Sequence, residues 1–262
     1  MTDRKGGSIV LQNVGIKIGA VEIVAGIDLE IASGEFVCLL GPSGCGKSTL
    51  LNAIAGFLGI QSGSIKVNGI AVAGPGPDRG VVFQSSEALF PWLTVLENVE
   101  YGPRTRGVEK AQCREAALRY IELVGLRTAA DKFPKELSGG MRQRAQLARV
   151  LVNEPSIILM DEPFAALDAQ TRLIMQVELD RIWRATGATV LFITHDIGEA
   201  VLLGNRIITM TAGPRAQFKA VERIEIPHPR DLTSQAAIDI YRTLRDDIGE
   251  EVQKALQLQG LA

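Results

Sequence analysis

The 262-residue sequence has little cysteine and almost no net charge, and each shortage excludes a class of protein. Its three cysteines, Cys38, Cys45 and Cys113, show no paired spacing, which excludes a disulfide framework and favours a reducing compartment. Lys and Arg number 28 against 30 Asp and Glu, a net charge of −2. Because nucleic-acid binders usually carry a marked basic excess, we expect no nucleic-acid partner.

Long apolar runs are also missing. A transmembrane helix needs about 18 or more apolar residues, whereas the densest run, residues 190–193, has the length of a strand. The first 20 residues lack the apolar core and the cleavage site of a targeting segment. We therefore expect a chain that does not span a membrane by itself and that lies in the cytoplasm.

The composition is that of a folded globular protein, with 46% apolar and 22% charged residues. Short β-branched runs alternate with longer helical stretches, a pattern typical of an α/β fold. Strands are predicted at residues 8–14, 36–40, 63–67, 80–83, 157–160, 189–193 and 206–210. Helices are predicted at residues 48–55, 94–101, 110–124, 139–152, 170–185, 196–203 and 234–258.

The strand signal disappears between Leu93 and Val152, where three of the predicted helices follow one another. This change predicts a helical subdomain, about residues 88–153, inserted in an α/β domain of residues 1–230. Residues 231–262 are predicted to form a helical tail.

A glycine-rich turn lies between the apolar run 36–40 and a predicted helix, and it fits the P-loop pattern G-x-x-x-x-G-K-[ST] in full. Glycines let backbone N–H groups surround phosphate oxygens, and the helix N-terminus adds a positive dipole end. We expect Lys47 to reach the β- and γ-phosphates of ATP and the Ser48 hydroxyl to ligate Mg²⁺. The predicted nucleotide-binding residues are Gly41, Pro42, Ser43, Gly44, Cys45, Gly46, Lys47, Ser48 and Thr49.

A second apolar run, residues 157–160, ends in two carboxylates, Asp161 and Glu162. An Asp at the end of a buried strand in a P-loop protein is a usual ligand for Mg²⁺. The Glu that follows points to the opposite side, where it can accept a proton from an attacking water. We expect Asp161 to bind the metal and Glu162 to be catalytic.

Ser138 is followed by Gly139 and Gly140 where another predicted helix begins. A hydroxyl and free backbone N–H groups at a helix start can bind an anion. On physical grounds alone, however, an ordinary helix-capping serine with a flexible lead-in is the favoured interpretation.

Six motifs in order resemble those of the nucleotide-binding subunit of an ABC transporter. The Walker A, signature and Walker B motifs are matched by residues 41–49, by residues 137–141 with Met141 in place of the usual Gln, and by residues 157–162. The Q-loop glutamine, the D-loop and the switch histidine are matched by Gln84, residues 166–168 and His195. Order and spacing agree from about residue 8 to about residue 213.

This resemblance implies a P-loop ATPase cassette with a RecA-like core, an N-terminal antiparallel β subdomain and an inserted helical subdomain. It implies that Glu162 polarises the attacking water, that His195 contacts the γ-phosphate, and that Gln84 senses Mg²⁺ and acts in catalysis with Lys47. Asp168 belongs to the D-loop and is also expected at the nucleotide.

The resemblance also implies partners. Two ATPase subunits are expected to pair head to tail, so that each ATP lies between the Walker motifs of one copy and residues 138–140 of the other. Two transmembrane permease subunits and a periplasmic or extracellular substrate-binding protein complete the expected assembly. The ATPase would then be peripheral on the cytoplasmic face of the cell inner membrane.

Residues 74–84 and 89–99 are similar to ATPases of the nitrate, sulfonate and taurine importer group. We therefore expect an ATPase that energises uptake of taurine or a similar small organosulfonate. Nitrate, another aliphatic sulfonate and a pyrimidine precursor are alternatives within the class. A soluble ABC ATPase of DNA repair or translation is the alternative outside it, although such proteins usually carry coiled-coil insertions or tandem cassettes.

Three positions leave alternatives open. Most relatives place an adenine-stacking aromatic about 29 residues before the P-loop lysine, where this sequence has Ile18, expected to cover adenine with apolar surface. Cys45 is either inert filler or a thiol whose pKa the helix N-terminus lowers. Trp92, with Phe90 and Leu93, forms either an aromatic core patch or an interface with the membrane subunits.

Overall fold

The computed structural model describes residues 6–84 and 88–258. The chain divides into two units: the first lies within Met1–Gly76 and Gly187–Ala262, and the second is Pro77–Thr186. The ends of the predicted ATPase domain and tail, residues 1–5 and 259–262, lie outside the described residues. Within the described ranges, no helix is both long and apolar enough to cross a bilayer.

The strands, in chain order, are β1 (Ile9–Ile18), β2 (Val21–Ile31), β3 (Phe36–Leu40), β4 (Ser62–Val67), β5 (Ile70–Ala71), β6 (Arg79–Val82), β7 (Ile157–Asp161), β8 (Thr189–Ile193), β9 (Arg206–Met210) and β10 (Phe218–Arg223). The α-helices are α1 (Lys47–Ala55), α2 (Val95–Thr105), α3 (Lys110–Leu123), α4 (Gly139–Leu151), α5 (Ala169–Thr186), α6 (Ile197–Leu203) and α7 (Gln235–Leu258).

The first unit contains an antiparallel sheet with the strand order β2-β1-β4-β5. In β2, buried Ile27, Leu29 and Ile31 alternate with exposed acidic residues, so one face of the strand is packed and the other is solvated. The turn between β1 and β2 contains Gly19 at φ 60°, a left-handed conformation that glycine adopts without steric cost.

The same unit carries the parallel strands that lead to the P-loop. Their order is β10-β9-β3-β8, with β3 parallel to both β8 and β9, and β10 antiparallel at the edge. Every residue of β3 and β8 is buried, which explains their continuous apolar sequences. The carboxyl end of β3 is followed directly by the glycine-rich turn and α1.

The second unit contains β6 and β7 as a parallel pair, so the segments after both strands leave at the same edge. Helices α2, α3 and α4 lie between β6 and β7 along the chain, and α5 follows β7. Helix α4 packs against α2, α3 and α5. Thr94 and Glu97 form a complete capping box at the start of α2. This helix contains Pro103 and continues to Thr105, beyond the predicted end at residue 101.

The predicted α/β class is confirmed, and most element bounds agree within two residues. The β2, β5 and β10 strands were not predicted individually. The β10 sequence is polar and half-exposed at a sheet edge, so its hydropathy carries little strand signal.

Candidate functional site

The P-loop lysine is buried inside its own loop. Lys47 Nζ donates hydrogen bonds to the carbonyl oxygens of Gly41 at 2.8 Å and Pro42 at 2.9 Å. It also lies 3.7 Å from Cys45 Sγ. The ammonium group therefore sits at the centre of the glycine-rich turn, where it can exchange neutral carbonyl partners for the oxygens of an anion.

Gly46 explains why the turn requires glycine before the lysine. Its φ of 94° is left-handed, and an added Cβ would lie 2.8 Å from Ile23 Cγ2 and 2.9 Å from Val24 Cγ2. Gly46 is also the N-cap of α1 and has no side chain to cap the first turn. The N-terminus of α1 thus presents backbone N–H groups and a positive dipole end, as an anion site requires.

A buried hydrogen-bond network holds the segment that carries His195. Thr194 Oγ1 donates to Glu199 Oε2 at 2.6 Å and accepts from Asp196 N at 3.0 Å. Asp196 in turn caps α6, since its Oδ1 accepts from Glu199 N at 3.1 Å. The His195 side chain is exposed at the end of β8, on a backbone fixed from both sides.

In the second unit, the segments after β6 and β7 bring Gln84 and Glu162 together. Gln84 Nε2 donates to Glu162 Oε2 at 3.4 Å, a long hydrogen bond. Glu162 has φ 43°, a left-handed conformation that is rare for a side chain of this size. Such conformations persist where the surroundings enforce them and are concentrated at functional sites.

Ser138 is the N-cap of α4, and its hydroxyl accepts from Met141 N at 3.3 Å. Ser138 therefore has the ordinary helix-capping role, which the sequence favoured on physical grounds. The glycine two residues later has a packing reason, because an added Cβ at Gly140 would lie 2.4 Å from Thr171 Cγ2 on α5. The start of α4 and the start of α5 are thus in close contact.

Asp168 begins α5 in the same way. Its Oδ1 accepts from Thr171 N at 3.0 Å. This backbone hydrogen bond, together with one to the Thr171 side chain, lowers the pKa of Asp168. Thr171 therefore links two predicted segments, since it contacts Gly140 through its methyl group and Asp168 through its backbone.

The family model for ABC transporters matches residues 24–165, more than half of the chain. The chain belongs to the ABC transporter family.

Relatives of this ABC protein include ATP-binding proteins of two transport systems. The taurine import ATP-binding protein TauB of Jannaschia sp. is 48% identical over 196 residues, which cover 75% of this chain and 73% of that protein. The bicarbonate transport ATP-binding protein CmpD of Synechocystis sp. is 44% identical over 230 residues, which cover 87% of this chain and 81% of that protein.

Among solved structures, the ABC fold matches the dimeric post-hydrolysis state of the ATP-binding cassette MJ0796 bound to ADP and Pi. The TM-score is 0.72 at 33% identity, over 84% of this chain and all of that one. The predicted membership in the ABC transporter family is thus confirmed, and the chain is an ATP-binding, ATP-hydrolysing transport subunit.

At two of the open positions of this ABC protein, the structure excludes one interpretation. Burial raises the pKa of the Cys45 thiol, and the opposing effect of Lys47 does not offset it, so the hypothesis of a lowered pKa is wrong. Trp92 is 70% exposed, so the core-patch interpretation is wrong as well. Its ring lies 5.5 Å from that of Phe90, which in turn lies 4.6 Å from that of Tyr101.

Ile18 lies at the end of β1 next to the turn, paired with Val21 of β2. Its side chain is 53% exposed, so it offers apolar surface that a ligand can contact. Its role toward adenine stays a prediction.

Two structural residues of the ABC fold escaped the sequence analysis. Glu199 follows Asp196 by three positions, a capping spacing that predicts the start of a helix. This spacing does not predict that the Glu199 carboxylate is buried and accepts from Thr194. Arg230 is buried and donates to the carbonyl oxygens of Val201 at 2.8 Å, Gly204 at 2.6 Å and Ile226 at 2.8 Å. It thereby caps the end of α6 with a positive charge.

Proposed function

We propose that the chain energises an ABC importer for a small oxyanion-bearing solute, with taurine or a similar organosulfonate as the first candidate. The observation that carries the import direction is the similarity, over 75% of the chain, to a taurine import ATP-binding protein. Uptake by such a system places the ATPase peripherally on the cytoplasmic face of the inner membrane.

The nucleotide phosphates would be bound by residues 41–49. This assignment is supported by the buried Lys47 ammonium, held by carbonyls of its own loop, and by the N-terminus of α1 that Gly46 leaves without a side-chain cap. A phosphate would replace the neutral acceptors with charged ones, which adds the attraction of opposite charges to the hydrogen bonds of the ammonium. Ile18 would cover the purine with its exposed side chain.

Glu162 would accept the proton of the water that attacks the γ-phosphate, with Gln84 keeping its carboxylate oriented. The left-handed backbone of Glu162 and its bond to Gln84 support this role. His195 would contact the γ-phosphate. Its exposed imidazole on a segment fixed by Thr194 and Glu199 supports that assignment.

Mg²⁺ would be held by Ser48, Gln84 and Asp161. These residues offer a hydroxyl, an amide and a carboxylate oxygen, which are the hard donors that Mg²⁺ prefers. The donor set therefore fits the cation. When bound, the metal would neutralise charge on the phosphates.

A second copy of the chain would complete each ATP site through Ser138, Gly139 and Gly140, with Asp168 beside them. The dimeric state of the similar MJ0796 structure supports this pairing. Two permease subunits and an extracytoplasmic substrate-binding protein would be the other partners. Ser138→Arg places bulk and charge at the expected interface. In the hydrolysis-deficient Glu162→Gln background, monomeric ATP binding should survive while ATP-driven pairing fails in size-exclusion chromatography.

The second candidate substrate is bicarbonate, favoured by the 44% identity to a bicarbonate transport ATP-binding protein over 87% of this chain. Both solutes carry anionic oxygen groups. Nitrate and other aliphatic sulfonates are further candidate substrates, to be tested beside taurine and bicarbonate.

The test uses the full complex, reconstituted in liposomes from this chain, its permease and its substrate-binding protein. ATP hydrolysis is measured with taurine, a longer aliphatic sulfonate, nitrate or bicarbonate in the lumen with the binding protein. Stimulation by taurine supports the first candidate, and stimulation by bicarbonate alone replaces it with the second. A complex with Glu162→Gln is the matched control, because it should bind ATP without substrate-stimulated turnover.

A further inference from the structure

The C-terminal helix α7 carries a buried carboxylate that bonds outside the helix. Glu251 is 2% exposed, and its Oε2 accepts from Ala212 N at 2.8 Å. Its Oε1 accepts from Lys254 Nζ at 2.6 Å and lies 3.4 Å from Lys219 Nζ. A buried carboxylate is costly unless it is paired and hydrogen-bonded, so these partners are what make this position tolerable.

Ala212 belongs to the loop between β9 and β10, residues 211–217, here called the 211–217 loop. The loop is closed by Thr211 N, which donates to Gln217 O at 2.9 Å, and by Gln217 N, which donates to Thr211 Oγ1 at 3.0 Å. It is tied to β2 by Ala216 N, which donates to Ile23 O at 3.0 Å.

The 211–217 loop also packs on the P-loop. A Cβ added at Gly213 would lie 3.3 Å from the Gly44 carbonyl oxygen and 3.6 Å from Cys45 Cα. A side chain at position 213 would therefore be in tight contact with the Gly44 carbonyl oxygen. Because Ile23 and Val24 pack still more closely against Gly46, the P-loop is supported by both the 211–217 loop and β2.

We propose that α7 is a positioning element for nucleotide binding: Glu251 fixes the 211–217 loop through Ala212, and Gly213 of that loop fixes the P-loop at Gly44 and Cys45. Loss of the Glu251 oxygen that accepts from Ala212 N then weakens ATP binding and leaves the hydrolysis step unchanged. The inference rests on the proposed nucleotide role of the P-loop.

The charge at Glu251 supports the same link. Burial acts to raise the pKa of this carboxyl, but hydrogen bonds from Lys254, Ala212 and Lys219 outweigh it and hold the pKa below the usual value. The carboxylate is therefore ionised at neutral pH. Glu250 and Asp247 are the other charged groups around Lys219.

The neighbouring Glu250 provides a matched control. It pairs with the same Lys219 at 2.6 Å, but its side chain is 67% exposed. Glu250→Ala removes a carboxylate one residue away while leaving the bond between Glu251 and Ala212 intact.

The experiment measures alkylation of Cys45 by iodoacetamide in the full-length protein, quantified by peptide mass spectrometry, together with kcat and KM for ATP. Buried Cys113, in the other unit, is the internal reference. In wild type, ATP should protect Cys45. Glu251→Ala should speed Cys45 alkylation several-fold relative to Cys113 and raise KM about fivefold, with kcat within twofold. Glu250→Ala should resemble wild type.

Two further variants separate positioning from a general loss of stability. Glu251→Gln keeps an oxygen for Ala212 N and should restore most of the ATP affinity. Gly213→Ala presses directly on Gly44 with α7 unchanged, so it should raise KM even if Glu251→Ala does not fold. A destabilised fold would lower the active fraction, and hence the apparent kcat, without this change in KM.

Unchanged Cys45 alkylation and KM in folded Glu251→Ala would overturn the inference, as would an unchanged KM in Gly213→Ala. If ATP neither binds to the wild-type protein nor protects its Cys45 from alkylation, the proposed nucleotide role of the P-loop is overturned instead. The two failures are thus distinguishable in one set of samples.

Discussion

The side-chain amide of Gln84 donates to the Glu162 carboxylate across 3.4 Å, while the backbone of Glu162 is held at φ 43°. The first relationship orients the carboxylate and the second stores backbone strain of roughly 1–3 kcal/mol. A residue kept in such a conformation is expected to contribute through its side chain. This makes Glu162 the natural target for separating ATP binding from turnover.

Glu162→Gln should bind ATP normally and hydrolyse it about 10²–10⁴ times more slowly, because the amide cannot accept the proton of the attacking water. The measurement combines steady-state ATPase assays with equilibrium ATP binding. Lys47→Ala is the contrast, since removing the ammonium should abolish nucleotide binding itself. Normal turnover in Glu162→Gln would exclude this residue from the catalytic role.

Gly140→Ala should destabilise the protein by about 1–2 kcal/mol, because the new Cβ would lie 2.4 Å from Thr171 Cγ2. Thr171→Ser removes that methyl group and keeps the backbone N–H that donates to the Asp168 carboxylate. In the Thr171→Ser background, Gly140→Ala should therefore cost nothing or add helix stability. Urea unfolding of the four proteins measures the coupling, and simple additivity would show that the contact is relieved by other means.

Arg230→Ala should lower the free energy of unfolding by on the order of 3 kcal/mol, because it leaves buried carbonyl oxygens of Val201, Gly204 and Ile226 without their donor. Arg230→Lys keeps the charge but loses the fork of donors, so it should restore only part of the loss. Exposed Arg242→Ala should stay within about 0.5 kcal/mol of wild type. Chemical denaturation at neutral pH gives all three values.

These examples show which parts of the molecule a sequence reveals. The bounds of β3, β8 and β9 were predicted residue for residue, because continuous apolar runs in an α/β pattern have few other interpretations. The predicted end of α2 at residue 101 came too early, since the helix continues through Pro103 to Thr105 although proline normally disfavours a helix interior.

For the candidate site, the motifs located Lys47, Glu162 and the other predicted residues, because P-loop chemistry demands fixed spacings. The surrounding support was not predictable in this way. Arg230 bonds to the carbonyl of Gly204, and Glu251 bonds to the amide of Ala212, across distances in sequence that no local pattern encodes. The sequence predicts a phosphate-binding role for Gly140, whereas the structure shows that the methyl group of Thr171 leaves no room for a side chain at this position.

Asp168 predicts a pH dependence of stability. The hydrogen bond from Thr171 N lowers its pKa in the folded protein, so its contribution is fully present above the unfolded pKa of about 3.9 and is lost as pH falls through the folded value. Asp168→Asn keeps an oxygen cap but does not titrate. The Tm advantage of wild type over Asp168→Asn should therefore narrow below about pH 4. A constant difference down to pH 2.5 would contradict this origin.

Ile18 stands where the family resemblance implies an adenine-stacking aromatic, and it is 53% exposed at the end of β1. Isoleucine offers apolar contact without π-stacking, a difference of roughly 0.5–1.5 kcal/mol. Ile18→Tyr should lower KM for ATP several-fold and leave kcat unchanged, since it adds binding shared by the ground and transition states. Ile70→Tyr, the same change at an exposed position on β5, an edge strand of the same sheet, should leave both constants unchanged. Equal KM values for wild type and Ile18→Tyr would mean that residue 18 does not face the base, and the phosphate contacts of the P-loop would then account for the affinity without it.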